Sequence, residues 1–166
     1  MKTVTGPRLR RAYFDVRFGQ LHLHNAIPAG GGFDELTSLL CVHDAGQTGR
    51  AFADVLAQLG TDRSVYAPDL PGCGESDAAP GVPPDDAAVA ALNDFLDSMR
   101  IRQFDLLALG QGTHAAALLA AARGKAVRRF VVLDPPAAVQ PAPGLVLSGA
   151  QATAPARCGP LRRFLA

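Results

Sequence analysis

Apolar residues recur along this chain with two different periods. In "AYFDVRFGQLHLHNAI" (12–27), Phe14, Val16 and Phe18 alternate with polar residues, and Leu21 and Leu23, followed by Asn25, alternate back. A period of two marks half-buried strands, so the segment predicts a hairpin turning on Gly19-Gln20. The glycine-rich "PAGGGFDE" reads as a loop, and "LTSLLCVH" (36–43) as a buried strand, because it is a continuous apolar run. In "TGRAFADVLAQLG" the spacing of Phe52, Val55, Leu56 and Leu59 is helical, with Thr48 placed to cap the start and Gly60 the end. "SVYAP" (64–68) predicts another strand, running into the turn-rich "DLPGCGESDAAPGVPP". Beyond it, Asp85 or Asp86 opens a helix striped by Val89, Leu92, Phe95, Leu96 and Met99. "FDLLALG" and "VRRFVVLD" (127–134) then read as strands around the helix of "GTHAAALLAAARG". Strands separated by helices specify an α/β domain, a mostly parallel sheet with helices on both faces and an N-terminal antiparallel hairpin. We place this core at residues 1–136 and a Pro/Ala-rich, mostly irregular tail at 137–166. One short strand or helical turn of that tail is expected beside the Val131 strand, whose edge would otherwise be open to a second copy of the chain.

Composition narrows the class. The 166 residues are 48% hydrophobic and 19% charged, which suits a folded globular domain rather than a disordered chain. A net charge of +1 argues against general nucleic-acid binding. The N-terminus lacks the apolar stretch of a signal peptide, and no apolar run reaches the ~18 residues of a membrane span. Cys41, Cys73 and Cys158 are an odd number at wide spacing, which suggests neither a disulfide framework nor a zinc site and fits a reducing cytoplasm. Neither a metal nor a cofactor is expected.

Three motifs then line up in order. They are "LLCVHDAGQTGRAF", an apolar strand followed by a glycine-bearing loop; "VYAPDLPGCGESD", a strand followed by D-x-x-G-x-G-x-S-D; and "DLLALGQGTHAAALLAA", a strand, a sharp glycine turn and a helix. In this order and with these spacings the chain resembles the α/β-hydrolase superfamily over about residues 12–136, the front part of that fold. The resemblance implies an oxyanion loop in the first motif and a nucleophile elbow, G-x-S-x-G, in the third. Here the elbow reads Ala108-Leu109-Gly110-Gln111-Gly112, so glycine stands at the nucleophile position. The family's His-Gly reads His43-Asp44, which puts a carboxylate where an anion would form and leaves the N–H groups of Ala45 and Gln111 as oxyanion donors. The family's acid and histidine are expected after later strands, yet no histidine follows His114, and the last strands of the fold are missing from the sequence.

Other residues are candidates for those roles. Asp134 ends its strand where some members place the acid, but an aspartate before two prolines is also an ordinary turn former. His43 and His114 are candidate bases, His114 in the first turn of a helix where a surface histidine is unremarkable. Cys73 lacks an elbow to activate it, and Ser76 reads as closing its loop. A dinucleotide fingerprint is also satisfied, since Gly110, Gly112 and Ala115 stand at G-x-G-x-x-A after a strand and Asp134 ends the next one. Three functions follow as expectations. The first is a degenerate, non-catalytic hydrolase-like protein that binds a small acyl or carbonyl ligand between the His43 loop and Gly110, or pairs with another chain through its edge strand. The second is a hydrolase or lyase with a non-standard site using His43 or His114, and the third a dinucleotide-binding module. A truncated product with no selected function is the plainer alternative to all three.

Overall fold

The computed structural model describes residues 6–31, 36–137 and 143–166. Strands β1 (Arg8–Val16) and β2 (Gly19–Ile27) form the N-terminal hairpin. After β3 (Leu39–Val42), a 3-10 turn at Gly49–Phe52 runs into α1 (Ala53–Leu59), and β4 (Val65–Pro68) follows. Next come α2 (Pro84–Ser98), β5 (Phe104–Leu109), α3 (Gly112–Arg123), β6 (Val127–Leu133), β7 (Leu145–Leu147) and α4 (Cys158–Leu165). One seven-stranded sheet has the order β1-β2-β4-β3-β5-β6-β7. The hairpin and its junction with β4 are antiparallel, and every later pairing is parallel.

Successive side chains of a strand point to opposite faces, and this sheet buries both. Leu40, Val42, Leu106, Ala108, Phe130 and Val132 pack with α2 and α3 on one side. Their neighbours Leu39, Cys41, Leu107, Val131 and Leu133 pack with α1 and α4 on the other. Continuous apolar runs such as "LLCV" therefore suit central strands, whereas the hairpin alternates because much of β1 faces solvent.

Several boundaries differ from the sequence expectation. The hairpin turns on Arg17 and Phe18, with Val16 paired to Gly19, rather than on Gly19-Gln20. Gly19 has φ +120°, and a side chain there would collide with the Asp77 carboxylate, which accepts the Gln20 N–H at 2.7 Å. Pro84 begins α2, and Asp85 and Asp86 lie in its first turn, where the positive end of the helix favours them. Met99 follows the helix and is partly exposed instead of completing its stripe. The expected loop over 28–35 falls in part outside the described residues.

The C-terminal segment is more regular than its composition suggests. Strand β7 pairs in parallel with β6, Val131 opposite Leu145, so the strand carrying Val131 is not an edge. Helix α4 buries Cys158, Leu161 and Leu165 against α1. Gly159-Pro160 looks like a helix breaker, but Pro160 occupies the first turn, where its missing N–H would have no intrahelical acceptor.

Candidate functional site

The glycine turn of "LALGQGTHAAALLAA" lies where β5 hands over to α3, facing the loop after β3. Gly110 holds φ +53°, a conformation nearly free of strain for glycine alone, and donates its N–H to Leu133 O at 2.9 Å. Gly112 lets α3 approach that loop, since a Cβ there would run into the His43 carbonyl. The sharp turn of an elbow is retained while its tip carries no side chain.

Asp44 fills the space above that tip. Its Oδ1 accepts the Gln111 N–H at 2.7 Å and the Ala45 N–H at 2.8 Å. These are the two donors expected to meet an oxyanion, and the chain's own carboxylate occupies both. A Cβ built on Gly110 would lie 2.5 and 2.6 Å from the two Asp44 oxygens, well inside van der Waals contact. Asp44 and the glycine at the nucleophile position are thus sterically matched.

His43 is tied into the backbone on both sides of its ring. Its Nδ1 lies 2.8 Å from Asp44 O and its Nε2 2.9 Å from the Leu70 N, so Nε2 accepts from Leu70 and Nδ1 carries the proton donated to Asp44 O. Burial holds its pKa below the ordinary histidine value, which suits a neutral ring. Thus His43 spaces two loops and has no free nitrogen to serve as a base. The other candidates are dispersed. His114 is exposed on α3. Asp134 has φ +45°, accepts the Gly149 N–H at 2.8 Å and donates its own N–H to Leu147 O, so it shapes the turn leaving β6. Ala115 lies beneath the elbow, at the floor of the cavity.

A cavity of about 290 Å³ opens beside Asp44. Gln111, Gly112 and Ala115 of α3, Leu70, Pro71 and Cys73 of the loop after β4, and Pro84, Asp85 and Ala88 of α2 complete it. Burial and the nearby Asp69 charge push the Cys73 thiol up, which disfavours a thiolate nucleophile.

The loop after β4 is held by Asp69 and His22, whose roles sequence reasoning missed, together with Ser76, which closes its loop as expected. Asp69 is buried, and its carboxylate accepts the Gly49 N–H at 2.8 Å, the Glu75 N–H at 3.1 Å and a bond from His22 Nδ1 at 2.9 Å. Burial alone would raise its pKa, but these hydrogen bonds outweigh it and hold the carboxyl below the ordinary value. Ser76 donates to Asp69 O at 2.6 Å and accepts the His22 N–H at 2.8 Å, closing the loop onto β2. Donor atoms of His22, His24 and Asp69 lie within 4.8 Å of one another, a spacing compatible with a metal ion. Oδ1 of Asp69 is already engaged by Gly49 of the 3-10 turn and Oδ2 by Glu75 and His22, however, which makes the cluster a tie between β2, that turn and the loop after β4. The signal for this tie was the D-x-x-G-x-G-x-S-D pattern; its partner His22 gave none, because the contact spans 47 residues.

Residues 39–166 match the sequence model of a family described as the alpha/beta hydrolase family. No curated protein sequence matches the chain. Among solved structures it is similar to Cfl2 from Burkholderia cenocepacia, at 26% identity and a TM-score of 0.69 over 82% of this chain and 47% of that one. It is also similar to the epoxide hydrolase CorEH, at 17% identity and a TM-score of 0.69 over 77% of this chain and 43% of that one. A thioesterase domain from the curacin biosynthetic pathway aligns at 21% identity and a TM-score of 0.66, over 78% and 45% of the two chains. The chain therefore spans less than half the length of these proteins, and the likeness at such identities is one of fold.

Proposed function

The chain belongs to the alpha/beta hydrolase family, and from that premise we propose that it is a non-catalytic member whose elbow cavity binds a small ligand without acylation. The observation that carries this reading is the Asp44 carboxylate on the Gln111 and Ala45 N–H groups, at 2.7 and 2.8 Å. Acyl transfer needs those donors free for the charge that develops on the carbonyl oxygen. A resident carboxylate competes for both and repels that charge. Gly110 removes the attacking atom as well. The same occupancy argues against a carbonyl group polarised at this point. It weakens the dinucleotide reading too, because a pyrophosphate at the start of α3 would meet the charge of Asp44. A base-driven reaction through His43 would require breaking its bonds to Asp44 O and Leu70 N.

The test is hydrolysis of p-nitrophenyl butyrate. The protein is expected to release p-nitrophenol at the rate of buffer alone, and Gly110→Ser is expected to add nothing, since the new Cβ would press on Asp44. Release well above the buffer rate, abolished by Asp44→Ala, would overturn the proposal.

A further inference from the structure

We propose that the cavity beside Gly110 is a site for a small organic cation, an ammonium group on an apolar body, held by Asp44 and Asp85. This rests on the non-catalytic reading above and adds the charge and chemical class of the ligand. Asp44 spends only Oδ1 on the backbone; Oδ2 has no donor among the described residues and lies over Gly110, where a nucleophile would otherwise stand. Asp85, exposed in the first turn of α2, lines the same cavity and has neither a hydrogen-bond nor an ion-pair partner among the described residues. No lysine or arginine lines the cavity among those residues. His43 contributes no charge, because its Nε2 accepts from the Leu70 N–H.

Apolar side chains of Leu70, Pro71, Ala88 and Ala115 line the walls of the same cavity. A carboxylate whose free oxygen faces an apolar, partly enclosed space recovers its lost solvation best from a cation that also covers those walls. An anionic ligand would meet two like charges, and a neutral one would offer Oδ2 at most an uncharged donor and leave both carboxylate charges without a counter-charge. The helix N-termini at the cavity do not reverse this preference, because Asp44 already answers α3 and Asp85 sits in the first turn of α2. The volume of about 290 Å³ is at the lower end of small-molecule sites, so the body is short.

The experiment titrates the intact protein with n-hexylammonium, n-hexanol and hexanoate, three probes of matched length, by calorimetry and by thermal shift at pH 7. Hexylammonium is expected to bind about tenfold more tightly than hexanol, and hexanoate not at all. Asp44→Asn removes the charge while its amide oxygen can still accept the Gln111 and Ala45 N–H groups, so it should fold and lose about tenfold in hexylammonium affinity. Asp85→Asn, which leaves the backbone donors untouched, should lose affinity severalfold. Equal binding of hexanol, tighter binding of hexanoate, or no binding of hexylammonium at millimolar concentration would overturn the site. Ester turnover, measured separately, bears on the non-catalytic reading alone, so the two can fail independently.

Discussion

At the scale of single residues, the histidines and aspartates of this chain act mainly through what they hold in place. His43 and His24 are held below the ordinary histidine value by burial. For Asp54, burial raises the pKa but the hydrogen bonds and charge of Arg157 outweigh it, and Asp69 is lowered on balance in the same way by its N–H donors and His22. All four groups bind protons less readily in the native than in the unfolded chain, so stability must rise with pH. The histidine contribution is complete above about pH 6.5 and is lost as pH falls through the lowered native values. The carboxylate contribution is complete above about pH 4 and is lost below it in the same sense. Urea midpoints measured from pH 8 to pH 3 should therefore fall in two stages, with His43→Gln flattening the upper one. A midpoint that rises on acidification from pH 7 to pH 5 would contradict this. The sequence already carried half of the Asp44 story, since His43-Asp44 and Gly110 each depart from the family pattern. That the two departures compensate sterically was not legible, because 66 residues separate them along the chain and the contact exists only once β3 and β5 pair.

At the scale of elements, periodicity located what is central and amphipathic and missed what is short and held by tertiary contacts. Helix α4 has eight residues and begins with Cys-Gly-Pro, a start that local propensity disfavours. Beside its apolar face and the bonds that Arg63 and Arg128 donate to Leu165 O, it is attached by Arg157, 4% exposed, whose guanidinium is paired in fork geometry with Asp54 of α1, donates to Ala51 O and lies 5.6 Å from the Phe52 ring. Arg157→Ala would leave Asp54 half-buried and unpaired, and is expected to destabilise the protein by about 3 kcal/mol, near the lower bound for breaking a buried pair. Denaturant titration gives the magnitude, and hydrogen exchange should show the α4 amides losing protection first. A change below about 0.5 kcal/mol, the size usual for exposed pairs, would mean that apolar packing and the remaining polar contacts at Arg162 and Leu165 O dock the helix without Arg157. Strand β7 is a similar case: three residues are too few to show a period, and pairing with β6 makes them a strand.

At the scale of the whole molecule, the sheet leaves β1 and β7 at its ends. The edge beside Val131, open in the sequence reading, is covered by β7. Strand β7 is short, and β1 carries Arg8, Arg10 and Arg11; short length and charge are the devices that discourage edge-to-edge association. The 166-residue chain is therefore expected to sediment as a monomer at micromolar concentration, and a stable dimer by analytical ultracentrifugation would show that one of these edges pairs regardless. No described helix is long and apolar enough to cross a membrane.

The sequence alone determined the class of fold, because alternation, helical stripes and glycine turns are local patterns set by side-chain period and backbone sterics. It also determined that no hydroxyl or thiol stands at the tip of the elbow, since Gly110 is read directly. Only the tertiary structure decided what occupies that tip, how His43 and Asp69 are engaged, and that a helix docks after the short strand expected beside Val131. Each of these depends on polar groups far apart in the chain meeting within hydrogen-bond distance, and that geometry is set by the paired sheet rather than by any local run of residues.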